Sequence, residues 1–516
     1  MSSLPSFLAA ASGPRGPSHD QRAACRSALA GAVALAVALG VGRFAFTPLL
    51  PLMLAGGELD IRHGGWLASA NYAGYFVGAM TCARIAVDPA RMVRAGLAAT
   101  VLLTFAMGLA SPFWVWALVR FVGGAVSAWT FVFASQWGLR RVVEHGAPAW
   151  GGVIYTGPGI GIVATGLIGF ALAGRHAALG WIGFAAASAV LTAFVWRAFG
   201  AAGAGTDGGQ SRGGAKRAGD GVGVADAAGR AGERLAAGAT GAAEGAEGAE
   251  GAEAVADAVS AANVADTADT ANSANSANSA NSANSANSAT ATAERNSPVA
   301  GVAGQHGAMA APAARAPHVE SAAARRDAFW LVLLYGLPGF GYIITATFLP
   351  VIARAALPAH SRWPDLFWPM FGAALIAGAL LGARLPSGWD NRLLLAACCE
   401  VQALGVALGI VWPTAPGFAL GSALVGLPFT AITLFAMREA RRLRGERAAG
   451  LMGYATASYG VGQIAGPLAA APLAAHAGSF SPALWLAATM LAVGAAGFAA
   501  VALRAWRAKT RGGGVG

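Results

Sequence analysis

The chain has 516 residues, of which 56% are hydrophobic and 11% charged, with a formal net charge of +11 and a mean hydropathy of +0.54. A soluble globular chain carries about 25% charge, so most of this one is suited to lipid. The basic excess does not point to nucleic acid, because most of the charges fall in alternate short loops, as membrane topology requires. The four cysteines (Cys25, Cys82, Cys398 and Cys399) show neither metal-ligand nor disulfide spacing, and all eight histidines lie outside the apolar segments. No metal and no cofactor is expected.

Residues 1–27 are a polar tail rich in Ser, Pro and Arg. The apolar run behind it is too long for a cleaved signal peptide and reads as an uncleaved first span. Spans need about 20 mostly apolar residues. The first half offers six, at 28–52, 65–83, 93–111, 113–136, 150–173 and 177–198. The second offers six more, at 329–354, 365–384, 393–412, 416–437, 449–473 and 482–503. The expected fold class is therefore all-α integral membrane, with twelve transmembrane helices in two six-helix bundles over 28–198 and 327–505. A short tail, 506–516, follows. Loops on the side of the termini hold Arg84, Arg140, Arg141, Arg438, Arg441 and Arg442 among others, whereas the opposite loops hold only Arg62, Arg175, Arg354 and Arg362. That bias places both termini in the cytoplasm.

The two halves repeat their punctuation. Gly40-Val41-Gly42 followed by Leu50-Pro51 reappears as Gly339-Phe340-Gly341 followed by Leu349-Pro350. Gly78-Ala79 with Ala83-Arg84 reappears as Gly378-Ala379 with Ala383-Arg384. Duplicated apolar segments are a signature of secondary transporters, whose substrate site lies between the halves.

Residues 199–326 are different material. Runs of Gly-Ala-Glu (245–253) and Ala-Asn-Ser (271–288) leave few apolar side chains larger than Ala, so no core can form. This is read as a disordered cytoplasmic linker, either a partner-binding arm or a tolerated expansion of tripeptide repeats. The second is preferred, because long insertions in surface loops cost little.

Charged residues inside apolar segments carry the functional signal. Arg120 sits in the fourth segment, with Gly123, Gly124 and Ser127 on its face. It faces a cavity, or it bonds backbone carbonyls. The fifth segment contains Tyr155, Thr156, Gly157, Pro158, Gly159 and Gly161; its counterpart contains Tyr459, Gly460, Gly462, Gln463, Gly466 and Pro467. Such runs read either as tight packing alone or as packing plus a proline bend that can open and close.

Twelve spans in two halves, the Arg120-x-x-Gly123-Gly124 pattern and the Gly-Pro-rich fifth span resemble the major facilitator superfamily. More narrowly, Gly40-Val-Gly-Arg43-Phe-Ala-Phe-Thr47-Pro48-Leu-Leu-Pro51 with Gly65-Trp66 and Asn71-Tyr72-Ala-Gly74-Tyr75 is similar to the YbfB/YjiJ branch. The resemblance covers all the apolar segments and excludes the linker. It implies alternating access, with the first and fourth spans of each half lining a central cavity. It also implies an acidic latch after the second span. Asp88 with Arg91 and Asp390 with Arg392 are the residues available for it, although the spacing is loose and Pro89 intrudes; capping of a helix end by Asp88 or Asp390 is an equal alternative.

Arg43, with Thr47 one turn on, is a second arginine within an apolar segment. Two cavity arginines without a nearby acid point to an anionic or carboxylate-bearing substrate; alternatively, either bonds carbonyls freed by the prolines. Asn71 and Tyr75 lie on one polar-to-small stripe and are cavity candidates; Asn71 binds substrate or, as such residues more often do, bonds across helices. Tyr335, Tyr342, Tyr459 and Gln463 are the second half's cavity candidates, with packing an equal role for the aromatics. Glu400 is the acid deepest within an apolar segment, hence the candidate for proton coupling.

The expectation is a secondary active transporter of a small organic solute in the bacterial inner membrane, not an enzyme, with a monomer favoured over an oligomer and protons as a candidate partner. The alternatives are efflux of amphiphilic compounds and, in another class, a membrane sensor or scaffold worked by the linker.

Overall fold

The computed structural model describes residues 19–85, 87–147, 150–200, 322–382, 385, 386, 388–445 and 448–512. The expected linker, save its two ends, and most of the N-terminal tail lie outside them, as do Arg384 and Arg447.

Among the described residues, twelve helices of spanning length follow one another. In the first half they are α1 (His19–Leu35, then a π-helical stretch Ala36–Val41 and a resumption at Phe46–Ala55), α2 (Ile61–Thr81), α3 (Pro89–Leu109), α4 (Phe113–Glu144), α5 (Gly151–Ile154 and Gly157–Ala171) and α6 (Ala177–Val195). In the second they are α7 (Ala322–Ala356), α8 (Phe367–Gly382, led by a 3-10 turn Trp363–Asp365), α9 (Asn391–Val411), α10 (Ala415–Gly426 and Phe429–Arg444), α11 (Ala448–Ala477) and α12 (Ser481–Gly512). The expected order holds throughout. Several helices outrun the predicted apolar segments: α4 continues to Glu144, α10 to Arg444 and α12 to Gly512.

Starts are set by local chemistry. Asp60 accepts the His63 N–H to begin α2, and Asp88 accepts that of Arg91 at the head of α3, with Pro89 in the first turn. Asp390 and Thr414 do the same for α9 and α10.

Ten of the described helices are long and apolar enough to cross a membrane. The two spans below that hydropathy, α2 and α11, are those that pack against each other along the seam between the halves. A helix shielded from lipid by a partner tolerates polar residues such as Asn71, Tyr72 and Gln463. The second seam is α5 against α8, and the last stretch of α1 touches α7. The remaining large contacts are internal to one half: α2 with α4, α3 with α4 and α6, α7 with α11 and α12, and α9 with α10 and α12.

Glycines make these seams thin. A Cβ on Gly65 would lie 2.6 Å from the Ala471 Cβ, and one on Gly166 2.5 Å from the Pro369 ring. Both contacts join opposite halves near the end of the bundle remote from the termini, called here the far end.

Candidate functional site

Where α1 widens into a π-turn and then breaks, backbone groups are exposed that a regular helix would satisfy internally. Beside the break, the Cα of Gly40 faces that of Gly161 so closely that an added Cβ would sit 2.4 Å away. Ser127 on α4 donates to Ala38 O at 2.8 Å. Arg120, only 3% exposed, reaches Gly42 O (3.5 Å), Arg43 O (3.3 Å) and Leu67 O (3.5 Å). Its guanidinium also covers the Phe46 ring at 4.9 Å. Among the described residues these carbonyls are its hydrogen-bond partners, the arrangement in which such an arginine braces a helix break.

Arg43 leaves the break in another direction. It is 5% exposed and its guanidinium lies 4.0 Å from the centroid of Tyr75, 5.1 Å from Tyr72 and 5.4 Å from Phe44. One amino group, Nη2, donates to Gln463 Oε1 on α11 at 2.9 Å, while Nε has no partner. No ion pair joins Arg43 to a carboxylate among the described residues. Gln463 in turn donates through Nε2 to the Tyr342 hydroxyl. Tyr342 stacks on Tyr459 at 5.8 Å, and Tyr459 on Tyr335 at 4.7 Å. Behind them, Phe429 meets Tyr342 edge-on and Trp368 tilts against Phe44. The result is one buried cation, one amide and an aromatic wall, assembled from both halves.

Three further hydrogen bonds cross between the halves toward the far end. Thr47 Oγ1 donates to Ala346 O at 2.9 Å, Ser69 Oγ to Ile464 O at 2.8 Å, and the Tyr72 hydroxyl pairs with Thr347 Oγ1 at 3.1 Å. At the far surface, Arg362 covers the Phe170 ring at 3.9 Å and donates to the Phe170 carbonyl.

The structure thus brings Arg43, Tyr75, Tyr342, Tyr459 and Gln463 together, with Tyr335 at the end of the stack and Thr47 on the neighbouring cross-link. Asn71 is fully buried and donates to Arg120 O at 2.9 Å, its Oδ1 without a partner. Tyr155 stands apart, at the interruption of α5 and edge-on to Phe131. Four of the glycines lie close against neighbouring helices: a Cβ on Gly124 would meet Asn71 O at 2.0 Å, one on Gly159 Ile376 at 2.5 Å, one on Gly462 Gly336 O at 2.3 Å and one on Gly466 Ile343 at 2.4 Å. Gly123 faces only Asn71, at 3.9 Å. Helix α5 is interrupted at Tyr155–Thr156, just before Pro158, whereas α11 runs unbroken through Pro467.

Glu400 is exposed in a groove between α9 and α12, lined by Ala396, Ala403, Trp485, Ala488 and Thr489 among others. Every lining residue belongs to the second half, and the groove shares none with the Arg43 cluster.

The proposed latch residues divide. Asp88 accepts a hydrogen bond from the Arg91 backbone N–H at 3.0 Å, which is a helix cap. Asp390 caps α9 and also receives the Arg392 guanidinium at 2.7 and 3.0 Å. Burial pushes the Asp390 carboxyl up, but the Arg392 bonds outweigh it and hold it below its ordinary range. Arg392 extends the network to Asp327 (3.5 Å) and Glu439 (3.8 Å). Glu439 bonds Arg442 at 2.6 Å and Asp327 bonds Arg504 at 2.8 Å. Sequence reasoning missed Glu439, which is 1% exposed. It lies two residues past the predicted end of the tenth span, among arginines that read as a loop. The signal was its spacing: Glu439 and Arg442 are i,i+3 on one helix.

The family model described as uncharacterised MFS-type transporter YbfB matches residues 35–219 and 278–498. No curated protein sequence matches the chain. Among solved structures, the crystal structure of the nucleoside transporter NupG is similar with a TM-score of 0.56 at 13% identity, over 92% of this chain and 99% of that one. The likeness shows the fold. The family match spans well over half of the chain, which therefore belongs to the family of YbfB-type transporters within the major facilitator superfamily.

Proposed function

We propose that this protein is a secondary active transporter that moves a small organic anion, carrying a carboxylate, by rocking its two halves about the Arg43 cluster. The observation that carries this reading is Arg43 itself. It is a buried guanidinium at the boundary of the halves, uncompensated by any acid among the described residues, with Nε unfilled and aromatic rings around it. A charge in the membrane interior costs about 2.5–3.5 kcal/mol on insertion scales, and a carboxylate ligand offsets that cost with charge-assisted hydrogen bonds. The positive-inside bias supports a bacterial inner-membrane location with both termini and the central linker in the cytoplasm, which makes the far end periplasmic.

A second reading is favoured by the stacked tyrosines Tyr335, Tyr459 and Tyr342 and by the likeness to NupG, a nucleoside transporter. In it the cargo is a neutral aromatic or amphiphilic solute and Arg43 is a hydrogen-bond donor only. Proton coupling through Glu400 gains no support from its place in the α9–α12 groove. A thermal-shift screen of the purified protein separates the cargo readings. Stabilisation by carboxylates, lost in Arg43→Ala, supports an anion; stabilisation by nucleosides or neutral amphiphiles alone overturns it.

A further inference from the structure

Gln463 occupies at Arg43 the place a carboxylate would take. Its Oε1 receives one N–H of the guanidinium, Nη2, at 2.9 Å, while the neighbouring Nε of the same edge is left unpartnered. An amide oxygen can fill only one of those two positions. A carboxylate fills both, through the parallel pair of hydrogen bonds that this edge is shaped for, and it also neutralises the charge. The Arg43–Gln463 bond is also a bond between halves, from α1 to α11. Gln463 has a second anchor on its own half, donating Nε2 to the Tyr342 hydroxyl of α7.

We infer that Gln463 is a displaceable surrogate ligand. The substrate carboxylate competes with its amide oxygen for Arg43, and displacement cuts the central link between α1 and α11 while Gln463 stays with Tyr342. This rests on the anion reading above and adds how binding is coupled to movement. A ligand shifts a conformational equilibrium only by its differential affinity for the two states. Here the difference has a named source: in the closed far-end state the carboxylate must expel Gln463, and in the state with α1 and α11 apart it need not. Substrate therefore favours separation of the seam that also holds Ser69 to Ile464 and Gly65 against Ala471. In the proposed topology, cargo bound from the cytoplasm drives opening to the periplasm.

The competition reverses the usual sign of a binding-site mutation, and that sign is the test. Binding of benzoate and of a panel of aliphatic monocarboxylates to the full-length protein in detergent is measured by titration calorimetry, with benzyl alcohol as the neutral control. The tightest carboxylate is then titrated into Gln463→Ala and into Gln463→Met, which keeps the side-chain volume if the smaller variant folds poorly. Removing a competing hydrogen bond is expected to tighten binding about 3- to 10-fold, while turnover in liposomes falls because binding no longer releases the link. Weaker binding in both variants makes Gln463 an ordinary substrate contact and overturns the surrogate, leaving the anion reading intact. Unchanged affinity likewise overturns it. A wild-type protein that binds no carboxylate overturns both.

Discussion

Adding one methyl group at Gly65 or Gly166 should unlock the far end of the molecule without unfolding it. Each glycine faces the opposite half, and the built Cβ of Gly65 would stand 2.6 Å from the Ala471 Cβ and 2.9 Å from Pro467 O. That of Gly166 would stand 2.5 and 2.6 Å from two carbons of the Pro369 ring. None of these atoms is the end of a flexible side chain, so the two helices must part. Overpacking of this kind costs about 1–3 kcal/mol. The cost falls only on the state in which the seams are closed, so the equilibrium moves about 5- to 150-fold toward the separated state. Accessibility is the readout. With the four native cysteines replaced by serine, Ala346→Cys, 1% exposed where Thr47 bonds its backbone, is labelled with a membrane-impermeant maleimide. Labelling should accelerate in Gly65→Ala and Gly166→Ala. The control is Gly74→Ala, whose Cβ would lie 1.8 Å from Phe121 O within the first half; it should lower thermal stability without faster labelling. Equal acceleration in all three, or none in the seam variants, would refute the division into seams that part and bundles that do not.

Arg120→Ala should act on stability before binding: it strips Gly42 O and Arg43 O of a charged donor, at about 1–3 kcal/mol for each carbonyl left unsatisfied, seen as an early thermal transition. Loss of carboxylate binding with an unchanged transition would place Arg120 in the binding site instead. Glu439→Gln should destabilise the second half by about 1–3 kcal/mol, because a buried acceptor of Arg442 is lost, measured by thermal melting in detergent. The Asp390–Arg392 bond should survive mild acidification. With its folded-state pKa below the ordinary value of about 3.9, Asp390 contributes stability above that value and loses it only as pH falls through the lower one; a melting temperature already falling between pH 7 and 5 in wild type but not in Asp390→Asn would contradict this.

How much of this was legible in the sequence follows from which interactions are local. Hydrophobic length gave the twelve spans, and the Gly-x-Gly and Leu-Pro repeat gave the correspondence of α1 with α7. The repeat did not foretell their difference: α7 runs unbroken through Pro338 and Pro350, while α1 breaks with no proline before the break. The break lies beside a contact distant in sequence, Gly40 against Gly161, which spacing cannot reveal. Arg43 and Arg120 were both visible as charges in apolar segments, and both were read as either cavity or carbonyl-bonded. Only the fold separates them, because the acceptor each one reaches is decided by the path of α1. Apolar character marks where a helix is in lipid and not where it ends, which is why Glu439 and Arg442, on the extension of α10, were taken for loop.

The most direct test of the central claim is transport in liposomes of the carboxylate that binds most tightly, by wild type and by Arg43→Ala at matched folded protein. Transport by wild type and loss of at least tenfold in Arg43→Ala, with thermal stability kept, is the result this account predicts. Undiminished transport by Arg43→Ala would contradict it and return the cation to a role in holding α1 against α11.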